Sequence, residues 1–279
     1  MGFRVNLSIF LLIFSVNPLW GWCLKNLGMQ EGDYELLHLS LYKFRAFLSI
    51  RSNSEGRIAT LIEAPWPENS LSFATRPFPG SVNGEGEEGV CQGIVQSWRT
   101  AVDTKGRLWV VDRGDADGVC PPKIVIFNLR KTWKSEVHRH VFTNATEGLI
   151  TSLTIDPQPH GSFTRAYLTL RGSNCIAVYS LEEKKFWTLC TKSTPLQFTE
   201  TIILPTGILY LYDGTQNILH ATDLHTLRKK EFHVNEAFLI QTVPIGNLLG
   251  HARSLLIDTQ NSLYYIIPRF GAVVKWNIE

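Results

Sequence analysis

Little in this sequence points toward nucleic acid, metal or bilayer. Lys and Arg number 27 against 25 Asp and Glu, a net charge of +2, and neither end carries a charged tail. A nucleic-acid footprint needs a basic patch or a strongly basic domain, so no nucleic-acid partner is expected. The five cysteines form no CxxC pair, and no Cys/His cluster has zinc-ligand spacing. No G-x-S-x-G elbow and no phosphate-cradling glycine loop occurs, which removes the signatures of serine hydrolases and nucleotide-binding enzymes. No resident metal and no cofactor is expected. Helical periodicity is thin, low-complexity tracts are missing, and no linker divides the chain.

What the chain has instead is apolar content, 44% of residues, enough for a sizeable core. Arg4 precedes an apolar run from Val5 to Val16, followed by Pro18 and the small Gly21. A charged start, an apolar stretch and a cleavage site are the layout of a secretory signal peptide. The run is too short for a membrane span, which needs about 20 residues. The expectation is a signal peptide over 1–21, a single domain over 22–279, secretion to the extracellular space and no membrane insertion. Oxidised cysteines suit that compartment, and the sequon at Asn144 is expected to carry a glycan.

Between Gly106 and Leu129 the sequence reads GRLWVVDRGDADGVCPPKIVIFNL. Two apolar runs rich in β-branched and aromatic residues enclose Gly114, Gly118, Pro121 and Pro122. Such runs form strands, and glycine and proline end them. The unit DTKGRLWVVDRG (103–114) is echoed in HGSFTRAYLTLRGSNCIAVYSL (160–181), LPTGILYLYDGTQNILHATDL (204–224) and DTQNSLYYIIPRFGAVVKWNI (258–278). KFRAFLSIRSNSEGRIATLIE (43–63) is a fainter copy. The aromatic anchors Phe47, Trp109, Tyr167, Tyr210 and Tyr264 lie 62, 58, 43 and 54 residues apart. Several strands per unit of roughly 40–50 residues predict an all-β chain folded as a β-propeller, each small sheet covered by its neighbours. A β-sandwich would space its turns more evenly, at about 8–12 residues. The anchors are expected to pack between blades. Residues 24–42 read as strand or irregular chain.

One covalent link follows from register. NCIAVYS and KFWTLC flank the turn 181–184. If Ser180 pairs with Lys185, Cys175 falls opposite Cys190, where Cβ atoms about 4.5–5.5 Å apart come near disulfide reach. Cys91 and Cys120 are then the other pair by elimination, and Cys23 is left over or pairs between chains.

The block GVCQGIVQSWRTAVDTKGRLWVVDRG…VCPPKIVIFNL, within 89–130, resembles the yellow / major royal jelly protein family of insects. SLTIDPQ, RAYLTLRGSNCIAVYSLEEKKFW, SLYYIIPRFGAVVKWN and, upstream, RIATLIEAPWPENSLSFATRPFPG are also similar to family segments, so the likeness runs from residue 43 to residue 278. The resemblance implies a secreted propeller of six blades. Five repeat-like units are visible, so either residues 24–42 supply strands to the missing blade or the ring is incomplete. It also implies a range of functions: dopachrome-converting isomerases or tautomerases of the melanin pathway, roles in cuticle pigmentation or eggshell, biogenic-amine binding, and nutritive or assembly proteins. The leading expectation for this chain is therefore binding or conversion of a small indole or catecholamine ligand. The rival is a non-enzymatic extracellular protein, either an amine scavenger or a structural component of eggshell or cuticle.

Aligning the repeats on the aromatic strand places Asp112, Arg113, Arg171, Asp213 and Arg269 just past it. If those strands run innermost, these five candidate ligand-binding residues approach one mouth of the propeller. A carboxylate there suits the ammonium of a catecholamine, and an arginine suits a carboxylated indole. Ordinary loop charges and ion pairs between blades are the plainer reading. Tautomerisation needs a positioned general base; Asp112 and Asp213 are the carboxylates the alignment offers, and neither is assigned a catalytic role. Asp112, Asp115 and Asp117 lack EF-hand spacing and read as an acidic turn. His138 and His140 share a strand face, have no third ligand nearby and read as a solvated strand.

Overall fold

The computed structural model describes residues 22, 24–30, 32–52, 59–67, 74–80, 91–115, 117–131, 136–142, 150–157, 163–191, 196–204, 206–229, 238–258 and 260–278. The N-terminal apolar run, Cys23 and Asn144 lie outside them, and with them the expectations of a signal peptide, an odd cysteine and a glycan.

Among the described residues twenty strands form five sheets. The first holds β1 (Tyr34–Tyr42), β2 (Arg45–Ser52), β3 (Leu61–Pro65) and β4 (Arg76–Pro77). The second holds β5 (Ser97–Val102), β6 (Arg107–Asp112), β7 (Lys123–Asn128) and β8 (Glu136–Val141). β9 (Ile150–Ile155), β10 (Arg165–Leu170), β11 (Cys175–Ser180) and β12 (Lys185–Thr191) make the third. The fourth contains β13 (Phe198–Ile203), β14 (Ile208–Asp213) and β15 (Ile218–Asp223). After a six-residue helix, Leu224–Lys229, the chain adds β16 (Phe238–Ile240) parallel to β12, and then β17 (Val243–Asn247) beside β15. β18 (Arg253–Ile257), β19 (Ser262–Ile267) and β20 (Ala272–Asn277) form the fifth sheet. Small antiparallel sheets repeated in this way are the blades of a β-propeller, five of them here. The residues 34–42 belong to the first blade as its β1. The chain divides into two compact units, Val16–Ile150 with the first two blades and, chiefly, Thr151–Glu279 with the other three.

Phe47, Trp109, Tyr167, Tyr210 and Tyr264 are each the third residue of the second strand of their blade. That strand has a hydrogen-bonded neighbour on both sides, and in the first four blades its middle is buried on both faces, as in all six residues of β10 and Leu108–Asp112 of β6; in β19 Tyr264 is half-buried and Ile266 exposed. Burial on both faces is why these segments read as unbroken apolar runs rather than alternating ones. It also corrects an assumption of the sequence reading. A strand flanked on both sides cannot be innermost; the edges of the sheets are β1, β5, β9, β13 and β18 on one side and β4, β8, β16, β17 and β20 on the other. Each pair of neighbouring blades within a unit closes over its own core. Phe47, Leu108, Val110, Val125 and Phe127 fill the first pair; Tyr167, Val178, Leu189, Phe198 and Leu211 fill that of the third and fourth blades; Tyr212, Leu219, Leu263 and Tyr265 fill the last.

A recurrent aspartate fixes the turn into the aromatic strand. Asp103 Oδ1 accepts the N–H groups of Lys105 and Arg107, and its Oδ2 accepts Trp109 Nε1–H at 2.9 Å. Asp258 does the same in the fifth blade for Gln260, Ser262 and the Tyr264 hydroxyl. In the third blade the turn residue Asp156 is held by both guanidinium arms of Arg228 from the short helix, at 2.8 and 2.5 Å.

The hairpin register places Ser180 opposite Lys185 and Cys175 opposite Cys190, and the two cysteines are joined in a disulfide with Cα atoms 4.0 Å apart. Cys91 and Cys120 form the second disulfide, which ties the segment before β5 to the loop that follows β6. In that loop Gly114 has φ +71, and a Cβ added there would lie 2.0 Å from the Cys120 carbonyl oxygen, a backbone atom that cannot step aside. Left-handed strain and the clash together make Gly114→Ala destabilising by at least about 2 kcal/mol. Equilibrium denaturant unfolding measures it, and a midpoint equal to that of the parent protein would show that the loop is looser than described. Among the described residues no helix is long and apolar enough to cross a membrane.

Candidate functional site

The edge strands are irregular where they matter. Register shifts fall between Leu36 and His38 in β1, Ser97 and Arg99 in β5, Phe198 and Glu200 in β13, and Arg253 and Leu256 in β18. A bulge bends the strand and re-aims the side chains beside it. In β5 the bulged residue is Trp98. Its half-buried indole has the Arg113 guanidinium stacked 3.2 Å from the ring centroid, with those of Arg99 and Arg51 at 5.2 and 5.3 Å. The indole Nε1–H is buried without an acceptor. Arg113 also donates to Ile150 O, Arg99 to the carbonyls of Leu37 and Trp98, and Arg51 to the exposed carboxylate of Glu35. Three guanidinium groups around one aromatic ring favour a planar ligand that carries negative charge or electron-rich edges.

Beside this cluster the first and second blades meet through small polar residues. Ser49 and Ser97 Oγ atoms lie 2.7 Å apart, and Ser40 Oγ lies 2.8 Å from Thr100 Oγ1. His38 Nδ1 accepts the Thr100 backbone N–H at 3.4 Å and is 3.2 Å from its hydroxyl. That acceptor role leaves the proton of the neutral ring on Nε2. Burial, and after it the positive charge of Arg99, pull His38 down to about 4. The ring is therefore neutral at physiological pH, suited to donating a hydrogen bond from Nε2 and weak as a proton acceptor. The third and fourth blades repeat the hydroxyl pairing, with Thr201 Oγ1 3.1 Å from Ser152 Oγ and 2.9 Å from Thr154 Oγ1.

The two aspartates expected near a ligand face the backbone instead. Asp112 is fully buried; its carboxylate accepts the N–H groups of Val95, Gln96 and Gly114 at 2.8, 2.8 and 2.9 Å and pairs with the buried Lys123 Nζ at 2.9 Å. It thereby clasps the segment that leads into Trp98. Asp213, equally buried, holds the N–H groups of Gln197 and Thr215 and the Thr215 hydroxyl through Oδ1. Arg171 and Arg269 are exposed, the latter with its guanidinium 5.8 Å from the Phe270 ring centroid. Asp112 and Arg113 belong to one compact unit and Arg171, Asp213 and Arg269 to the other. Of the five, Arg113 is the one stacked on an aromatic side chain of an edge strand. Asp115 caps the same loop by accepting Cys120 N–H, as an acidic turn would. Among the described residues no three His, Cys, Asp or Glu side chains gather as a metal site.

Trp98, Arg51, Arg99 and His38 were not singled out by the repeat alignment, which was anchored on the second strand. For Trp98 and Arg99 the signal was the polar, half-buried pattern of the strand before it, SWRTAV, in which only Ser97 and Thr100 are buried; His38 lies on β1, and Arg51 on β2 itself, past its aromatic anchor.

Residues 95–201 match the family model described as major royal jelly protein. A dopaminechrome tautomerase of Drosophila melanogaster is 30% identical over 101 residues, covering 34% of this chain and 22% of that protein. Major royal jelly protein 6 of Apis mellifera is 22% identical over 214 residues, covering 67% of this chain and 48% of that protein. The chain thus spans about half or less of the length of the curated relatives it matches. Among solved structures, virginiamycin B lyase from Staphylococcus aureus superposes with a TM-score of 0.51 at 8% identity, over 87% of this chain and 72% of that one, a likeness of fold.

Proposed function

Because the chain belongs to the yellow / major royal jelly protein family, we propose that it binds or converts a small indole or catecholamine derivative of the dopachrome type outside the cell. The observation that carries the reading is the Trp98 platform, with the Arg113 guanidinium stacked on it and those of Arg99 and Arg51 alongside. An aminochrome is planar and rich in carbonyl oxygens, and guanidinium donors match such edges. Its tautomerisation moves a proton from carbon to another site and changes no other atom, so the protein's share is to hold the ring, donate hydrogen bonds to developing negative charge and exclude water. His38 Nε2–H and the arginines are the donors available to it. Secretion is supported by the two disulfides and by the N-terminal apolar run. Melanin pigmentation, cuticle or eggshell biology is the setting proposed for this chemistry.

A second reading, a non-catalytic scavenger or structural component, is favoured by the fate of Asp112 and Asp213: both carboxylates are buried and bound to backbone amides, and neither is placed as a base. One pair of assays separates the two. Dopachrome decolourisation is followed optically, and dopachrome, dopamine and serotonin are titrated by calorimetry, with the parent protein and with Arg113→Met. Turnover that drops about tenfold or more in Arg113→Met at unchanged stability supports the first reading. Stoichiometric binding without turnover supports the second, and silence in every assay ends the ligand proposal.

A further inference from the structure

The aspartate clasps of the second and fourth blades differ in one respect. In the β6–β7 ladder Asp112 stands directly opposite Lys123, and the two form a buried ion pair. In the β14–β15 ladder the corresponding partner of Asp213 is Ile218. Asp213 Oδ1 serves Gln197 and Thr215, while Oδ2 is buried with no hydrogen-bond partner. Two residues beyond Ile218 on the same face of β15 is His220, opposite Leu211. Diagonal neighbours of this kind lie within reach of a long side chain. His220 is 6% exposed, and both its ring nitrogens are buried without a partner. Three unsatisfied polar atoms on one face of one blade call for an explanation, since buried polar groups are nearly always paired.

The surroundings of His220 leave little choice of partner. Phe198 of β13 lies in a T-shaped arrangement with it at 6.1 Å between ring centroids, β17 places Pro244 opposite it, and β14 supplies Leu211 and Asp213. The apolar cluster on this side continues into the third blade through Tyr167, Val178 and Leu189. Glu200 of β13 pairs with Tyr212 and acts on that ring, whose core neighbours are in the fifth blade. Arg171, at the end of β10, is exposed. Asp213 is the charge that acts on His220.

We infer that Asp213 and His220 are a proton-gated counterpart of the Asp112–Lys123 pair. When His220 takes a proton from solvent, it becomes a double donor and supplies Asp213 Oδ2 with the cation that Lys123 supplies permanently to Asp112. The segment before β13 and the turn after β14 are then tied to β15. Burial holds His220 below the ordinary histidine range against the opposing pull of Asp213, so the pair is unmade at neutral pH and forms on acidification.

Amide hydrogen exchange tests this, with protection factors at Gln197 and Thr215 corrected for intrinsic pH dependence and compared at about pH 7.5 and about pH 4.5. Where exchange proceeds by local release of the Asp213 clasp with His220 still buried, protection at these two amides in the parent protein rises by about tenfold on acidification, because release would strip the buried imidazolium of its counter-charge, while that at Gln96 and Gly114 in the permanent clasp does not rise. His220→Phe abolishes the rise. Ile218→Lys, which rebuilds the second-blade arrangement, gives the high protection at both pH values and decides the matter if His220→Phe does not fold. Flat protection in the parent protein, a rise that persists in His220→Phe, or no added protection in Ile218→Lys at about pH 7.5 each overturns the inference.

Discussion

Asp112→Ala is expected to lower the unfolding free energy by about 4 kcal/mol, within the roughly 3–5 kcal/mol range for breaking one side of a buried ion pair. Lys123 is 1% exposed, and its ammonium would be left without a counter-charge. The N–H groups of Val95, Gln96 and Gly114 would lose their acceptor at the same time. Adding Lys123→Met to Asp112→Ala removes the stranded charge and restores part of the loss, leaving the cost of the three amides. Denaturant unfolding of the two single variants and the double variant measures this. A loss under about 1 kcal/mol for Asp112→Ala would mean the pair is solvated. The result also bears on the functional assays. Because Asp112 holds the segment that presents Trp98, a drop in binding or turnover in Asp112→Asn reports a displaced platform, not a missing base.

The second large effect depends on pH. His38 in the folded protein titrates at about 4, whereas the unfolded chain takes up that proton near the ordinary histidine value of 6.5. Between these values the unfolded state binds more protons, so stability falls as the pH drops through the window and stops falling below it. A gap of this size corresponds to a loss on the order of 3 kcal/mol between pH 7 and pH 4. His38→Gln, which keeps a hydrogen-bonding side chain and cannot charge, is expected to show a correspondingly shallower decline. Unfolding midpoints of the two proteins across that window provide the measurement. Parallel curves would place His38 in contact with water in the folded state. His220, also held below its ordinary range by burial, adds to the slope of both curves equally and drops out of the comparison.

Several features were legible in the sequence because they depend on order along the chain. The aromatic strands, the turns between them and the repeat that makes a propeller follow from local pattern, since a strand buried on both faces must be apolar throughout. The Cys175–Cys190 bridge followed from counting outward from a tight turn, because antiparallel pairing is fixed once one pair is known. The candidate site was less legible. The strongest repeat signal came from the second strand of each blade, so the alignment pointed to residues at its end and passed over the weaker, polar first strand that carries Trp98 and Arg99. Nor could pattern tell where a side chain at a strand end turns. Asp112 and Asp213 look alike in sequence and share a clasp, yet one has a lysine opposite and the other an isoleucine.

By itself, then, the sequence determined the blades: their strands, their turns, the anchors that bury them and the bridge within one hairpin, all set by alternation, turn chemistry and register over short distances. Tertiary structure alone decided which charges are spent on backbone amides and which surround an aromatic ring. Those choices depend on which segments meet across blades, on how deeply each group is buried and on which partner stands opposite, and no single strand encodes any of them.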